Sequence, residues 1–258
     1  MLESIVRCVS KKYNFVNMSN GSSDLYSHST YGGEDAWFIT QNCIGVADGV
    51  SGWITKGVSS AFSNSLMLEC KSNCNYSNDP KKILEKAYEN TKCNVVGGSS
   101  TALIAKLNSN KLIVANHGDS CLIVIRDKKI IYKTLIDQID TDRPYQLGKW
   151  DLNEDNNDSN IHNAYVEKMY NEKGRRIDDT KVYEFDVTNG DIVITATDGF
   201  FDNIIDDEII QLFEKYYDES NLVELLSNLM KKAICNVVLK NDPESIDDIT
   251  VIVSKIII

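Results

Sequence analysis

"SSTALIAKLNSNKLIVANHGDSCLIVIRDKKIIYKT", residues 99–134, decides the fold class. Its apolar, β-branched runs at 99–107, 111–118, 121–127 and 129–134 are separated by Asn108-Ser109-Asn110, Gly118-Asp119 and Asp127-Lys128. Breaks this short join antiparallel neighbours, and no crossover helix fits between the runs. An antiparallel meander is expected. Upstream, "AWFITQNCIGVA" (36–47) gives two short strands joined near Gln41-Asn42, and a first strand begins near Leu2. Helices are expected from about Val58 to Cys70 and from Pro80 to about Cys93, the second with Asp79 as N-cap and Pro80 at its first position.

Downstream, residues 137–180 are rich in Asp and Asn with little periodicity and read as a long surface excursion. "TKVYEFDV" and "DIVITATDG" are two strands around the Asn189-Gly190 turn. Helices follow at about 206–217 and 220–239, the latter with Leu222, Leu225, Leu226 and Leu229 on one face, and "DITVIVSKIII" closes the chain as a strand. Antiparallel strands with helices in separate pairs define an α+β layered fold. With no linker dividing it, the chain of 258 residues reads as one domain, 1–258.

Charge excludes one class of partner. Lys plus Arg number 27 against 38 Asp plus Glu, a net charge of −11 with no basic stripe, so nucleic acid is repelled. No apolar run approaches the roughly 20 residues of a membrane helix. Seven cysteines without a repeating spacing fit a reducing compartment, and Cys70 and Cys74 lack the matching pair of a zinc site. The expected molecule is a soluble monomer. Its first strand leaves no room for a presequence, which points to the cytoplasm.

Carboxylates gather at strand ends: Glu34-Asp35, Asp48, Asp119, Asp198, Asp202 and Asp247-Asp248. Each Asp-Gly pair alone, Asp48-Gly49 or Asp198-Gly199, is also a plain turn signal. Converging, five or more carboxylates with no Lys or Arg in their motifs stay ionised only around cations. Hard oxygen ligands suit Mg²⁺ or Mn²⁺. Two such ions about 4 Å apart, bridged by one carboxylate, lower the pKa of a shared water and aim it at a phosphorus.

"GEDAWF", "GVADGVSGW", "GSSTALIA", "ANHGDS", "PYQLG", "GDIVITATDGFFDNI" and "DDITVIV" follow in the order of the metal-dependent protein phosphatases, the protein phosphatase 2C family. The chain resembles its branch with GEDA and ADGVGGW motifs, which has mitochondrial and plastid members, over about residues 2–257. That resemblance implies a four-layer α-β-β-α sandwich: two central antiparallel sheets flanked by helices, with metals at one end. It implies a catalytic domain that hydrolyses phosphoserine or phosphothreonine in protein substrates through a hydroxide bridging two Mg²⁺ or Mn²⁺ ions. Asp48 would bridge the metals, the Gly49 carbonyl and Glu34 would bind the second, and Asp198 and Asp247 would hold the first. Asp35 would orient metal-bound water. Asp119 and Asp202 match positions of a third metal in some members, although "GDS" at 118–120 also makes a hairpin turn.

Two departures concern the substrate. Many members have His where this chain has Val50, and Arg where it has Thr30. The first would protonate the leaving group and the second would grip phosphate; the branch with GVGGW generally lacks both. A lost general acid costs about 10²-fold to 10⁴-fold. His117 invites a general-acid role, against a strand residue that packs or hydrogen-bonds. His28 and Lys56 are weak candidates for the phosphate, Trp53 for a lid, and Gly97-Gly98-Ser99-Ser100 for a core strand and no phosphate loop. The organelle members keep mitochondria as the second compartment. A phosphatase-like scaffold that binds partners without catalysis is the alternative class.

Overall fold

The computed structural model describes residues 1–11, 33–50, 60–140, 143–150, 167–219, 221–240 and 247–258. Its strands are β1 (Leu2–Val9), β2 (Ala36–Ile39), β3 (Cys43–Ala47), β4 (Gly98–Ser100), β5 (Ala102–Asn108), β6 (Lys111–His117), β7 (Cys121–Arg126), β8 (Lys129–Lys133), β9 (Gln138–Asp140), β10 (Arg143–Pro144), β11 (Leu147–Lys149), β12 (Lys181–Asp186), β13 (Ile192–Ala196) and β14 (Ile249–Ile256). Its helices are α1 (Ala61–Ser72), α2 (Pro80–Asn94), α3 (Asp198–Phe201), α4 (Asp206–Tyr216) and α5 (Leu222–Lys240). Asp79 caps α2 by accepting the Lys81 amide at 2.9 Å, with Pro80 in the first turn.

One five-stranded antiparallel sheet has the order β12-β6-β5-β3-β2 and the other β1-β14-β13-β7-β8. Burial on both faces explains why the strands read as near-continuous apolar runs. Ile44, Val46, Leu103, Leu122, Val124 and Ile252 fill the space between the sheets. Cys43, Ala47, Ala102 and Ile104 point the other way, onto Phe62, Leu66 and Met67 of α1 and Leu84 of α2. Ile123, Ile194 and Val253 of the second sheet face Phe213 of α4 and Leu225 and Leu229 of α5. The layers run α-β-β-α, as the sequence predicts.

The meander is not continuous. Ser109 (φ 54°), then Asp127 and Lys128 (φ 50° and 61°), turn true hairpins β5–β6 and β7–β8. The break at Gly118-Asp119 instead carries the chain from one sheet to the other, since β6 pairs with β5 and β12 while β7 pairs with β13 and β8. Asn189-Gly190 makes a second crossing, from β12 to β13. Strands apolar on both faces give no alternation to tell a hairpin from a crossing. The expected surface excursion is corrected in part as well: Tyr145, Leu147 and Trp150 are buried. β11 covers the short strand β4, and the Tyr88 hydroxyl donates to the Gly148 carbonyl at 2.8 Å.

Candidate metal centre

The first sheet brings three carboxylates to one end. β2 and β3 are paired with Ala36 opposite Ala47, so Asp35 before one and Asp48 after the other emerge side by side. Asp48 is pinned through its backbone: its amide donates to Thr101 Oγ1 at 3.0 Å and its carbonyl accepts the Thr101 amide at 2.9 Å. Glu34 is 1% exposed, and its carbonyl accepts the Ser63 hydroxyl of α1 at 2.6 Å. A Cβ on Gly49 would lie 2.4 Å from that same carbonyl.

The second sheet supplies the rest. β13 and β14 pair with Ala196 opposite Val251, so Asp198 leaves one strand where Asp247 enters the other. A Cβ on Gly199 would lie 2.1 Å from the Asp248 carbonyl oxygen. Both Asp-Gly pairs therefore need glycine for close approach of a neighbouring backbone, a demand that a turn signal alone does not reveal. Asp48, Asp198 and Asp247 each offer an oxygen lying within 4.8 Å of the others'. The adjacent Asp248 does different work. It is 1% exposed and accepts the amides of Lys11 at 2.6 Å and Glu34 at 2.7 Å, holding two segments against β14.

Burial pushes the Asp48 carboxyl well above the usual range, and Asp198, Asp35 and Asp247 push it further. Asp198 is raised to about 7 by burial, then by Asp119 and Asp247. Burial and then Asp248 raise Asp35, whose Oδ2 accepts the Thr197 hydroxyl at 2.9 Å while its Oδ1 has no hydrogen-bond partner among the described residues. Asp119, raised to about 6 by burial, receives a 3.4 Å contact from Gln138 on Oδ2, and among the described residues its Oδ1 has no hydrogen-bond partner. Burial also raises Asp202. Asp119 feels the charges of Asp202 and Asp247, and Asp202 that of Asp247, but neither is among the three converging residues. Like charges in a buried, oxygen-only donor set fit a hard divalent cation and not zinc.

Charge balance differs from the sequence expectation of no Lys or Arg. Lys11 Nζ lies 3.1 Å from both Glu34 Oε2 and Asp247 Oδ1. β1 and β14 pair with Val9 opposite Ile249, so two residues further on Lys11 meets Asp247. The ammonium stands between two carboxylates expected to bind metal, and either of them would have to release it to hold a cation. A lysine outside every motif, placed only by the pairing of the first and last strands, has no local signal.

Asp48, Gly49, Val50, Asp198, Asp247, Lys11, Arg143 and Arg175 line one cleft of about 460 Å³. Sequence reasoning missed its arginines. His117 is fully buried with both ring nitrogens engaged, Nδ1 with Thr180 Oγ1 at 3.0 Å and Nε2 with the Gly174 carbonyl at 3.1 Å. Burial lowers its pKa to about 4, so it packs as a neutral strand residue. Ser99 and Ser100 lie buried in β4, as a core strand requires. His28, Thr30, Trp53 and Lys56 lie outside the described residues. Among the described residues no disulfide joins the seven cysteines, and no helix is long and apolar enough to cross a membrane.

A sandwich that gathers carboxylates from both sheets at one end defines a class of protein, one built around hard cations at a sheet–sheet cleft. Comparison with known proteins narrows it. The chain is 36% identical over 242 residues to "Protein phosphatase 2C homolog 7, mitochondrial" of Saccharomyces cerevisiae, covering 82% of this chain and 64% of that protein. The fold matches the structure of the photosystem II phosphatase PBCP with a TM-score of 0.73 at 25% identity, over 100% of this chain and 99% of that one. It also matches the catalytic domain of the serine threonine protein phosphatase PstP in complex with 2 manganese ions, with a TM-score of 0.65 at 13% identity, covering 100% and 99%. No family model matches the chain. The chain spans 22%, 64% and 58% of the length of the first curated relatives it matches. In sequence and in fold it is similar to the protein phosphatase 2C family.

Proposed function

We propose that this chain is a Mg²⁺- or Mn²⁺-dependent serine/threonine protein phosphatase, with residues 1–258 acting as one catalytic domain on phosphoprotein substrates. The observation that carries the reading is the meeting of Asp48, Asp198 and Asp247 oxygens within 4.8 Å. The names of its relatives support it. Asp198 and Asp247 would hold a first cation, Glu34 and the Gly49 carbonyl a second, with Asp48 shared between them. Asp119 and Asp202 would serve a third. Cations held there supply Lewis-acid charge for phosphoryl oxygens and a water nucleophile at neutral pH.

The chain's own groups set the stage for that chemistry. Asp35, with one oxygen held by Thr197 and the other unpaired, can orient a water beside Asp48. The cysteines do not compete as nucleophiles: burial pushes the Cys8 and Cys43 thiols up to about 12, and no cysteine lines the cleft. A monomer without nucleic-acid or membrane partners completes the reading. The yeast relative's name supports mitochondria as the compartment.

Hydrolysis of p-nitrophenyl phosphate and of a phosphothreonine peptide in Mn²⁺ tests the reading. EDTA or Asp48→Asn is expected to lower the rate at least a thousandfold. Activity that survives both would overturn it, and no activity with any divalent metal would favour the scaffold.

A further inference from the structure

Arg175 is a buried cation that faces the cleft with an unused donor. The residue is 7% exposed, yet among the described residues its Nη1 has no hydrogen-bond partner. Its Nε donates to Glu172 Oε2 at 2.6 Å, and its guanidinium lies 4.5 Å from the centre of the Trp150 ring. Trp150 and Arg175 line the same cleft as Asp48, Asp198 and Asp247. Leaving a buried charged donor unmet is costly, so such a group marks a place where a ligand completes the hydrogen bonds.

The arginine is held in place. The preceding Gly174 has φ +82°, and a Cβ there would lie 2.4 Å from the Tyr145 ring. The Gly174 amide donates to Asp179 Oδ2 at 2.8 Å, and its carbonyl accepts the Gln146 amide at 2.8 Å. Gln146 in turn accepts the Ser99 hydroxyl of β4 at 2.9 Å, which fastens the Arg175 turn to the wall of the cleft. A guanidinium held by stacking and one carboxylate, with one donor left unpaired at the cleft wall, can take up a tetrahedral oxyanion.

We infer that Arg175 grips the phosphate of the substrate through its guanidinium, whose buried Nη1 turns onto the phosphate as it binds. The inference rests on the phosphatase reading for the identity of the anion. Arg175 supplies from the β4–β11 side the positive charge missing at Thr30. Lys11 is a weaker choice, because its ammonium is already shared by Glu34 and Asp247.

The test titrates inorganic phosphate into the Mg²⁺-loaded full chain by calorimetry, for wild type, Arg175→Gln and Arg175→Lys. Mg²⁺ affinity and melting temperature are measured alongside. Arg175→Gln is expected to weaken phosphate binding ten- to a hundredfold, the scale of one charge-assisted hydrogen bond. Arg175→Lys is expected to fall between, and it still reports if the Gln variant folds poorly. KM for p-nitrophenyl phosphate should rise in parallel, with Mg²⁺ affinity unchanged. Phosphate affinity unaltered in both variants, or no phosphate bound by wild type, overturns the assignment. A KM that rises for a phosphopeptide alone would move the arginine to peptide recognition and also overturns it. Phosphate binding that depends on Arg175 in a protein without hydrolytic activity would keep the arginine and sink the phosphatase reading.

Discussion

Strand β13 carries an aspartate at each end, and the two live in opposite electrostatic worlds. At one end Asp191 is 2% exposed and accepts two hydrogen bonds from Arg126, at 2.7 Å and 2.6 Å, plus the Thr188 amide at 2.8 Å. Burial works to raise its pKa, but the Arg126 fork and the Thr188 amide outweigh burial and bring it below the usual carboxylate value. At the other end Asp198 meets further carboxylates, and burial followed by Asp119 and Asp247 lifts it to about 7. One end of the sandwich satisfies itself, while the other is complete only with cations. The first is architecture; the second is a site.

Neutralising each aspartate should separate the two roles. Asp191→Asn leaves Arg126 facing a neutral amide and should cost about 2–4 kcal/mol of stability, with activity per folded molecule unchanged. Asp198→Asn should do the reverse, raising the stability of the metal-free protein and abolishing activity in Mn²⁺. The sign follows from linkage. A folded pKa of about 7 against an ordinary 3.8 means that Asp198 favours folding at low pH and loses that contribution as pH rises through 7. The gain of Asp198→Asn over wild type should therefore grow from pH 4.5 to pH 7.5 in urea melts. His117 works the other way, losing stability as pH falls from 6.5 towards 4, but it is common to both proteins and cancels in the difference. A gain that shrinks as pH rises would break the contrast.

A smaller effect concerns Lys11. Its ammonium, shared by Glu34 and Asp247, competes with metal for the incomplete end. Lys11→Met should lower the Mn²⁺ concentration for half-maximal p-nitrophenyl phosphate hydrolysis about tenfold, the scale of one nearby charge removed from a partly screened site. An unchanged midpoint would mean that the lysine yields without competing.

Most of the fold was legible because its strands and helices announce themselves locally. The pairs β2–β3, β5–β6 and β7–β8, the Asp79 cap and the leucine face of α5 all follow from turn residues and periodicity. The crossing at Gly118-Asp119 did not, because β6 and β7 are mostly apolar and buried, and the one at Asn189-Gly190 did not, because its two turn residues also suit a hairpin. In the site, carboxylates at strand ends could be read directly. The division between Asp247 in the cleft and Asp248 on two backbone amides rests on which way each side chain leaves the strand. Lys11 and Arg175 were invisible for another reason: pairing of the two chain ends places the first, and a glycine turn packed on Tyr145 places the second.

The contrast between the two ends of β13 comes down to cation uptake. Calorimetric titration of Mn²⁺ into the full chain at pH 7.5 should show two tight equivalents in wild type and in Asp191→Asn, and loss of tight binding in Asp198→Asn. Wild type that takes up no Mn²⁺, or Asp198→Asn that binds as wild type does, would contradict the account.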